Sequence, residues 1–154
     1  MALSDSELEQ IEAATRPFPH RRSGLLPALH IIQESRGFID QQAMVDVGEF
    51  FDLHPMEVKE VVSFYTMFNQ KPVGRYHLQV CRSVSCFVMG CNPLLRYLET
   101  RLGIRPGETT PDGKFTLSAV ECLGSCGTAP VMQVNDDYYD DLTEEKLDRL
   151  LSEL

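Results

Sequence analysis

The sequence lacks long apolar runs and has no excess of basic residues. No stretch approaches the ~20 consecutive apolar residues that a membrane-spanning helix needs, so direct membrane insertion is not expected. The first residues, MALSDSELEQIEAATRPF, contain neither the basic nor the apolar segment of a secretory signal, and we expect a cytoplasmic protein. With 14 Lys and Arg against 23 Asp and Glu, the net charge is −9. Binding to nucleic acid requires clustered basic residues, so the composition excludes this class of partner.

Several motifs of nucleotide and redox chemistry are also missing. No G-x-G-x-x-G and no P-loop sequence occurs, so no nucleotide site is expected in this chain. No C-x-x-C occurs, which excludes a thioredoxin-type redox pair. No two carboxylates are arranged for acid–base catalysis. None of His20, His30, His54 and His77 has the C-x-H spacing of a Rieske-type centre, and we interpret them as surface or hydrogen-bonded core side chains.

The first 70 residues predict short helices. Ser6 and Glu9 match a capping box at the start of the first helix, and Pro55 fits the first position of the fourth. Apolar residues recur at helical spacing, and the aromatic run of Phe64, Tyr65 and Phe68 is interpreted as part of a core.

The composition changes at KPVG (71–74), which predicts a domain boundary. We therefore expect a helical domain over residues 1–73 and a second domain over residues 74–154.

The second half predicts a small sheet with helices against it. RYHLQVC (75–81) alternates apolar and polar residues as a strand does, and NPLLRYLETRLGI (92–104) follows as a helix with Asn92 at its N-cap. Three further strands and a final helix capped by Thr143 complete the order. The first two strands predict a parallel crossover and the last two a hairpin, so the expected fold class is α+β.

Five cysteines lie in this second half: Cys81, Cys86, Cys91, Cys122 and Cys126. A disulfide framework is not expected in a reducing compartment. Four of the cysteines form two pairs, C-x4-C at 81 and 86 and C-x3-C at 122 and 126, each at the end of a predicted strand. In a small sheet two such loops can lie side by side, so that four thiolates meet.

Three interpretations of these thiols stay open on spacing alone: a structural zinc site, a [2Fe–2S] cluster, and unrelated buried thiols. The spacing differs from that of plant ferredoxins. The second pair lies in VECLGSCGTAPV (120–131), where small residues allow backbone N–H groups to approach sulfur. An anionic cluster is stabilised by such contacts, which favours the iron–sulfur interpretation.

Three segments together resemble one family: FYTMFNQKPVGRYHLQV, VCRSVSCFVMG, and LGIRPGETTPDGKFTLSAVECLGSCGTAPVMQVNDDYY. They are similar to the E subunit of bacterial NADH:quinone oxidoreductase (complex I), over nearly the whole chain and most weakly before residue 20. The resemblance implies a helical bundle followed by a thioredoxin-like [2Fe–2S] ferredoxin domain with a small mixed sheet. It also implies that Cys81, Cys86, Cys122 and Cys126 are the cluster ligands. Cys91 lies outside that pattern and is interpreted as a spare, partly buried thiol.

The same resemblance implies an electron-transfer role within an oxidoreductase complex. The chain would exchange one electron with the flavin of an NADH-binding partner subunit and would not bind NADH itself. A further iron–sulfur subunit is an expected partner, with attachment to the inner membrane only through the complex. The small subunit of an NAD-dependent formate dehydrogenase or soluble hydrogenase fits the same pattern. A zinc-stabilised interaction module is the alternative from another class.

Overall fold

The computed structural model describes residues 3–154 and divides into two compact units. The first unit ends at Pro72 and the second runs from Val73 to Leu154. The first is entirely helical within the described residues, and the second combines helices with a four-stranded sheet. The structure therefore has the predicted α+β composition, with the helical part first along the chain.

The first unit consists of four α-helices and a short 3-10 turn at Arg21–Gly24. The helices are α1 (Asp5–Thr15), α2 (Leu25–Arg36), α3 (Gln41–Phe51) and α4 (Pro55–Phe64). Local sequence sets several of their ends. Asp40 caps α3 by accepting a hydrogen bond from the Ala43 N–H at 2.7 Å, and Gly37 ends α2 in the left-handed conformation that glycine adopts without strain.

The core of this unit is formed by the apolar faces of the four helices. Its completely buried side chains include Ile11, Leu29, Ile32, Ile39, Val47 and Val58. The predicted aromatic core is only partly correct. Phe68 is 5% exposed, but Phe64 is 77% exposed. Helix α4 ends at Phe64, and Tyr65 is already extended, so the helical spacing no longer decides which side chains face inward.

A buried ion pair joins α1 to α2. Both guanidinium contacts of Arg36 to Glu7 are short: Nε lies 2.8 Å from Oε1 and Nη2 lies 2.9 Å from Oε2. Ser35 donates to the same carboxylate at 3.0 Å, and the Ser4 backbone N–H donates at 2.8 Å. These hydrogen bonds, chiefly the one from Arg36, lower the pKa of Glu7 to about 2 against the opposing effect of burial.

The second unit contains one mixed sheet with the strand order β2-β1-β3-β4. The strands are β1 (Tyr76–Cys81), β2 (Phe115–Val120), β3 (Met132–Val134) and β4 (Asp137–Tyr139). β1 and β2 are parallel, while β3 is antiparallel to both β1 and β4. The predicted crossover and hairpin are thus both present.

Three helices accompany the sheet: α5 (Val84–Val88), α6 (Cys91–Leu102) and α7 (Glu144–Glu153). The apolar faces of α6 and α7 share one core with the sheet, and its completely buried members are Leu78, Cys91, Leu98, Leu117, Met132 and Leu147. The sequence pattern did not predict α5. Helix α6 begins at Cys91 with Gly90 as N-cap, not at the predicted Asn92. Among the described residues, no helix has the length and apolarity that a membrane crossing requires.

Candidate metal centre

The first cysteine pair lies at the end of β1 and in the short helix that comes after it. Cys81 is the last residue of β1, and Cys86 is in the middle of α5. Their side chains are 3% and 2% exposed. Burial and a hydrogen bond with Cys81 raise the pKa of the Cys86 thiol to about 11, although the Val131 backbone acts in the opposite direction. The two thiols are therefore in contact in a dry environment, and each must lose its proton to bind a metal.

The second pair lies beyond the end of β2. Cys122 is two residues past Val120, and Cys126 begins a 3-10 turn at Cys126–Thr128. Both of these side chains are exposed. Because β1 and β2 are parallel and Cys81 is aligned with Val120, the two cysteine pairs follow strands whose carboxyl ends lie at the same edge of the sheet. The Cys81 Sγ lies 3.9 Å from the carbonyl oxygen of Glu121.

The structure brings only part of the predicted ligand set into contact. Cys81 and Cys86 meet, whereas within residues 3–154 no three Cys, His, Asp or Glu side chains converge closely enough to form a metal site. The two pairs thus share an edge of the sheet but do not form a closed four-sulfur arrangement in this structure.

Cys91 is more buried than the sequence suggested. It was expected to be partly buried, but its exposed fraction is 0% and it belongs to the same core as Cys81 and Cys86. Burial is the first cause that raises the pKa of this thiol, and the neighbouring Cys81 contributes in the same direction. The reason is the early start of α6, which turns Cys91 inward as the first helical residue.

The loop between the second pair carries the small residues that the sequence analysis emphasised. Gly124 has φ +78°, a conformation that favours glycine, and its N–H lies 3.4 Å from the Cys122 Sγ. At Gly127, by contrast, an added Cβ would meet nothing within 4 Å. The backbone therefore requires a glycine at 124 but packing does not require one at 127, and one of the expected N–H···S contacts is present.

Three of the four histidines have structural partners away from metal chemistry. The His54 Nδ1 accepts from the Met56 N–H at the start of α4 at 3.2 Å. His30 packs against the ring of Phe68. The His77 Nε2 lies 2.8 Å from the Ser118 hydroxyl, and burial lowers the pKa of His77. These contacts agree with the interpretation of the histidines as structural side chains.

The donors available at this edge fit an iron–sulfur cluster. Four thiols are the usual ligands of a [2Fe–2S] centre, and the Gly124 N–H contact is of the kind that stabilises sulfur charge in such centres. Two buried and two exposed thiols give the site one side shielded from water and one side open. Thiolates also bind zinc, so the donor set alone does not choose between the two metals.

Comparison with known proteins distinguishes between these possibilities. Residues 11–154 match the thioredoxin-like [2Fe-2S] ferredoxin family. The second E subunit of NADH-quinone oxidoreductase from Rhizobium meliloti (strain 1021) is 51% identical over 143 residues, which cover 93% of this chain and 85% of the relative. The E subunit of NADH-quinone oxidoreductase from Rickettsia felis (strain ATCC VR-1525 / URRWXCal2) is 47% identical over 137 residues, covering 88% of this chain and 82% of the relative.

A solved structure is similar as well. An NAD+-reducing [NiFe]-hydrogenase in the H2-reduced state superposes with a TM-score of 0.72 at 30% identity, over 84% of this chain. This chain spans only 22% of the length of that hydrogenase chain. The family match agrees with the predicted [2Fe–2S] cofactor, and its extent includes most of the helical unit as well as the sheet. On this evidence the chain belongs to the thioredoxin-like [2Fe-2S] ferredoxin family, together with relatives named as the E subunit of NADH-quinone oxidoreductase.

Proposed function

We propose that this chain is the iron–sulfur electron-transfer subunit of an NADH dehydrogenase module. In this role it exchanges one electron with the flavin of an NADH-binding partner subunit. The observation that carries the proposal is the position of both cysteine pairs at one edge of the sheet, in a chain whose relatives are named as the E subunit of NADH-quinone oxidoreductase. The sequence has no nucleotide-binding motif, so NADH binding belongs to the partner.

The proposed cluster ligands are Cys81, Cys86, Cys122 and Cys126. When bound, a [2Fe–2S] cluster supplies one-electron redox chemistry, at a potential that hydrogen bonds and burial set. The buried Cys81 and Cys86 exclude water from one side of the site. On the other side, the Gly124 N–H donates to the Cys122 sulfur and stabilises its negative charge.

The proposed place of the protein is cytoplasmic, with attachment to the inner membrane only through the other subunits. The names of the relatives, which are parts of a quinone-reducing complex, support this placement. A further iron–sulfur subunit completes the proposed set of partners, because an electron that leaves this chain needs an acceptor other than the flavin unless it returns by the same route.

The proposed docking surface for the flavin-binding subunit is an apolar patch on α5 and the residue after it. Val84, Phe87, Val88 and Met89 are between 59% and 77% exposed, and they flank the buried Cys86. Contiguous exposed apolar side chains of this size mark protein interfaces. Because electron exchange requires the flavin to lie close to the cluster ligands, we assign this surface to the flavin-binding subunit.

Replacing Phe87 by serine is expected to weaken that association about tenfold, since truncation of an exposed aromatic side chain at an interface typically costs more than ~1 kcal/mol. Iron content should not change, because the ring points away from the core and is 59% exposed. Affinity of the purified chain for the flavin-binding subunit measures the effect. Phe18→Ser, which removes an exposed ring from the first unit, is the matched control. Equal loss in both variants would contradict the assignment of the α5 surface.

Anaerobic purification of the full chain tests the function itself. We expect about two irons and two acid-labile sulfides per chain, with an EPR signal after chemical reduction. NADH should reduce the cluster only when the flavin-binding subunit is added. A colourless chain with one zinc would contradict the electron-transfer proposal and support the zinc-stabilised interaction module.

A second parent complex has one observation in its favour. The similarity to an NAD+-reducing [NiFe]-hydrogenase at 30% identity is compatible with the small subunit of a soluble hydrogenase or of an NAD-dependent formate dehydrogenase. The higher identity to E subunits of NADH-quinone oxidoreductase favours the quinone-reducing complex. Proteins that co-purify with the chain distinguish the two: membrane quinone-reducing subunits in one case, and a nickel–iron or molybdenum subunit in the other.

A further inference from the structure

The loop that carries Cys122 and Cys126 has little support of its own. Both cysteine side chains are exposed, and the loop contains only short internal contacts such as that from the Thr128 N–H to the Ser125 carbonyl at 3.3 Å. Only the half-buried Leu123 packs against the core. A segment of this kind does not hold two ligand sulfurs in a fixed position unless another part of the chain restrains it.

Residues 138–142, which we call the brace, supply that restraint. The Tyr138 hydroxyl donates to the Leu123 carbonyl oxygen at 3.0 Å. The Asp140 Oδ1 accepts from the Ser125 hydroxyl at 3.1 Å. Two backbone hydrogen bonds extend the contact beyond the cysteines: the Asp141 and Leu142 N–H groups donate to the carbonyls of residues 128 and 130 at 2.8 and 3.1 Å.

The two side-chain contacts are placed next to the two cysteines. Leu123 directly follows Cys122, and Ser125 directly precedes Cys126. The Ser125 hydroxyl also lies 2.8 Å from the Thr128 hydroxyl, so this serine is restrained from both sides. Each exposed ligand candidate therefore has a chain neighbour that is hydrogen-bonded to the brace, while the two backbone bonds restrain only residues 128 and 130, which lie beyond both cysteines.

We propose that Tyr138 and Asp140 are positioning residues for the second ligand pair, an inference that rests on the proposed function of the four cysteines. They touch no ligand sulfur. They act through Leu123 and Ser125, which fix the backbone on either side of Gly124 and thereby the direction of its N–H toward the Cys122 sulfur. Groups that orient metal ligands in this way control how firmly the metal is held and how its electronic properties are tuned.

The first experiment compares Tyr138→Phe with Tyr139→Phe in the full chain. Among residues 3–154 the Tyr139 hydroxyl has no hydrogen bond, which makes it the matched control. We expect Tyr138→Phe to release iron to a ferrous chelator about fivefold faster, the factor that corresponds to ~1 kcal/mol for one hydrogen bond at 1.4 kcal/mol per tenfold. Its EPR spectrum should shift as well, while thermal unfolding stays unchanged. Wild-type rates and spectra in Tyr138→Phe would overturn the proposal.

A second comparison uses Asp140→Ala against Asp136→Ala, since Asp136 is exposed and without a hydrogen-bond partner in the described part of the chain. Hydrogen exchange of the Gly124 and Ser125 amides is measured in the chain without metal. We expect exchange to accelerate in Asp140→Ala and in Tyr138→Phe only, and unchanged exchange in both would contradict the brace. This readout does not need a cluster. If wild-type protein holds no iron while exchange behaves as expected, the proposed function fails and the restraint of the loop stands.

Discussion

Cys122→Ser is expected to remove the cluster from the purified protein. A serine hydroxyl is not a thiolate at neutral pH, and an exposed loop residue gives the metal no substitute on the water-facing side. Iron content should fall from about two per chain by roughly tenfold or more, together with the visible absorption and the EPR signal. The second unit should also become less stable, because the free energy of metal binding adds to the free energy of folding.

Cys91→Ser is the matched control for that experiment, since both variants exchange one sulfur for one oxygen. Cys91 is buried beside the first pair, so the exchange places a hydroxyl in an apolar site and costs some stability. It should nevertheless leave iron, sulfide and spectrum intact. Loss of the cluster in Cys91→Ser, or its retention in Cys122→Ser, would show that the ligand assignment is wrong.

The strands of the second unit could be predicted because their side chains alternate. Leu78 and Val80 are buried on one face of β1, and His77 and Gln79 are half-buried on the other. The parallel pairing with β2 is explained by the intervening helix, since such a connection returns the chain in the same direction. Helix α5 gave no such signal. It has five residues, and most of its apolar side chains face water.

The start of α1 shows a case that local sequence cannot decide. Ser4 and Glu7 have the same capping-box spacing as Ser6 and Glu9, and the structure uses the first pair. The difference comes from a residue far along the chain, because Glu7 is the side chain that reaches Arg36 on α2. A box built two residues later would leave that buried carboxylate without its role at the helix start.

The candidate site was likewise only partly predictable. The spacing of the cysteines identified two pairs near strand ends, and the structure has them at one edge of the sheet. It did not indicate that one pair is buried and the other exposed. Nor could it identify the brace, because Tyr138 and Asp140 are each 15 residues from their partners on the loop. Such contacts depend on the antiparallel arrangement of β3 and β4.

The largest effect expected in the first unit concerns the carboxylate of Glu7. Its side chain is 7% exposed, and hydrogen bonds, above all from Arg36, hold its pKa at about 2 against an ordinary value of 4.5. A carboxyl group with a lowered pKa stabilises the folded state above its unfolded pKa. That difference corresponds to about 3 kcal/mol at neutral pH, lost progressively as the pH falls from about 4.5 to 2.

Glu7→Gln should therefore lower the stability of the first unit by about 2–3 kcal/mol at pH 7, with Asp46, 3.6 Å from the Arg36 Nη1, retaining part of the pairing. Native-state hydrogen exchange of the α1 and α2 amides measures this unit within the intact chain. Glu9→Gln changes an exposed carboxylate on the same helix and should cost less than about 0.5 kcal/mol. Near pH 2 the wild-type carboxyl is itself protonated, so the difference between Glu7→Gln and wild type should shrink toward zero. A difference that is equally large at pH 7 and at pH 2 would mean that packing of the side chain, and not its charge, stabilises the contact between α1 and α2.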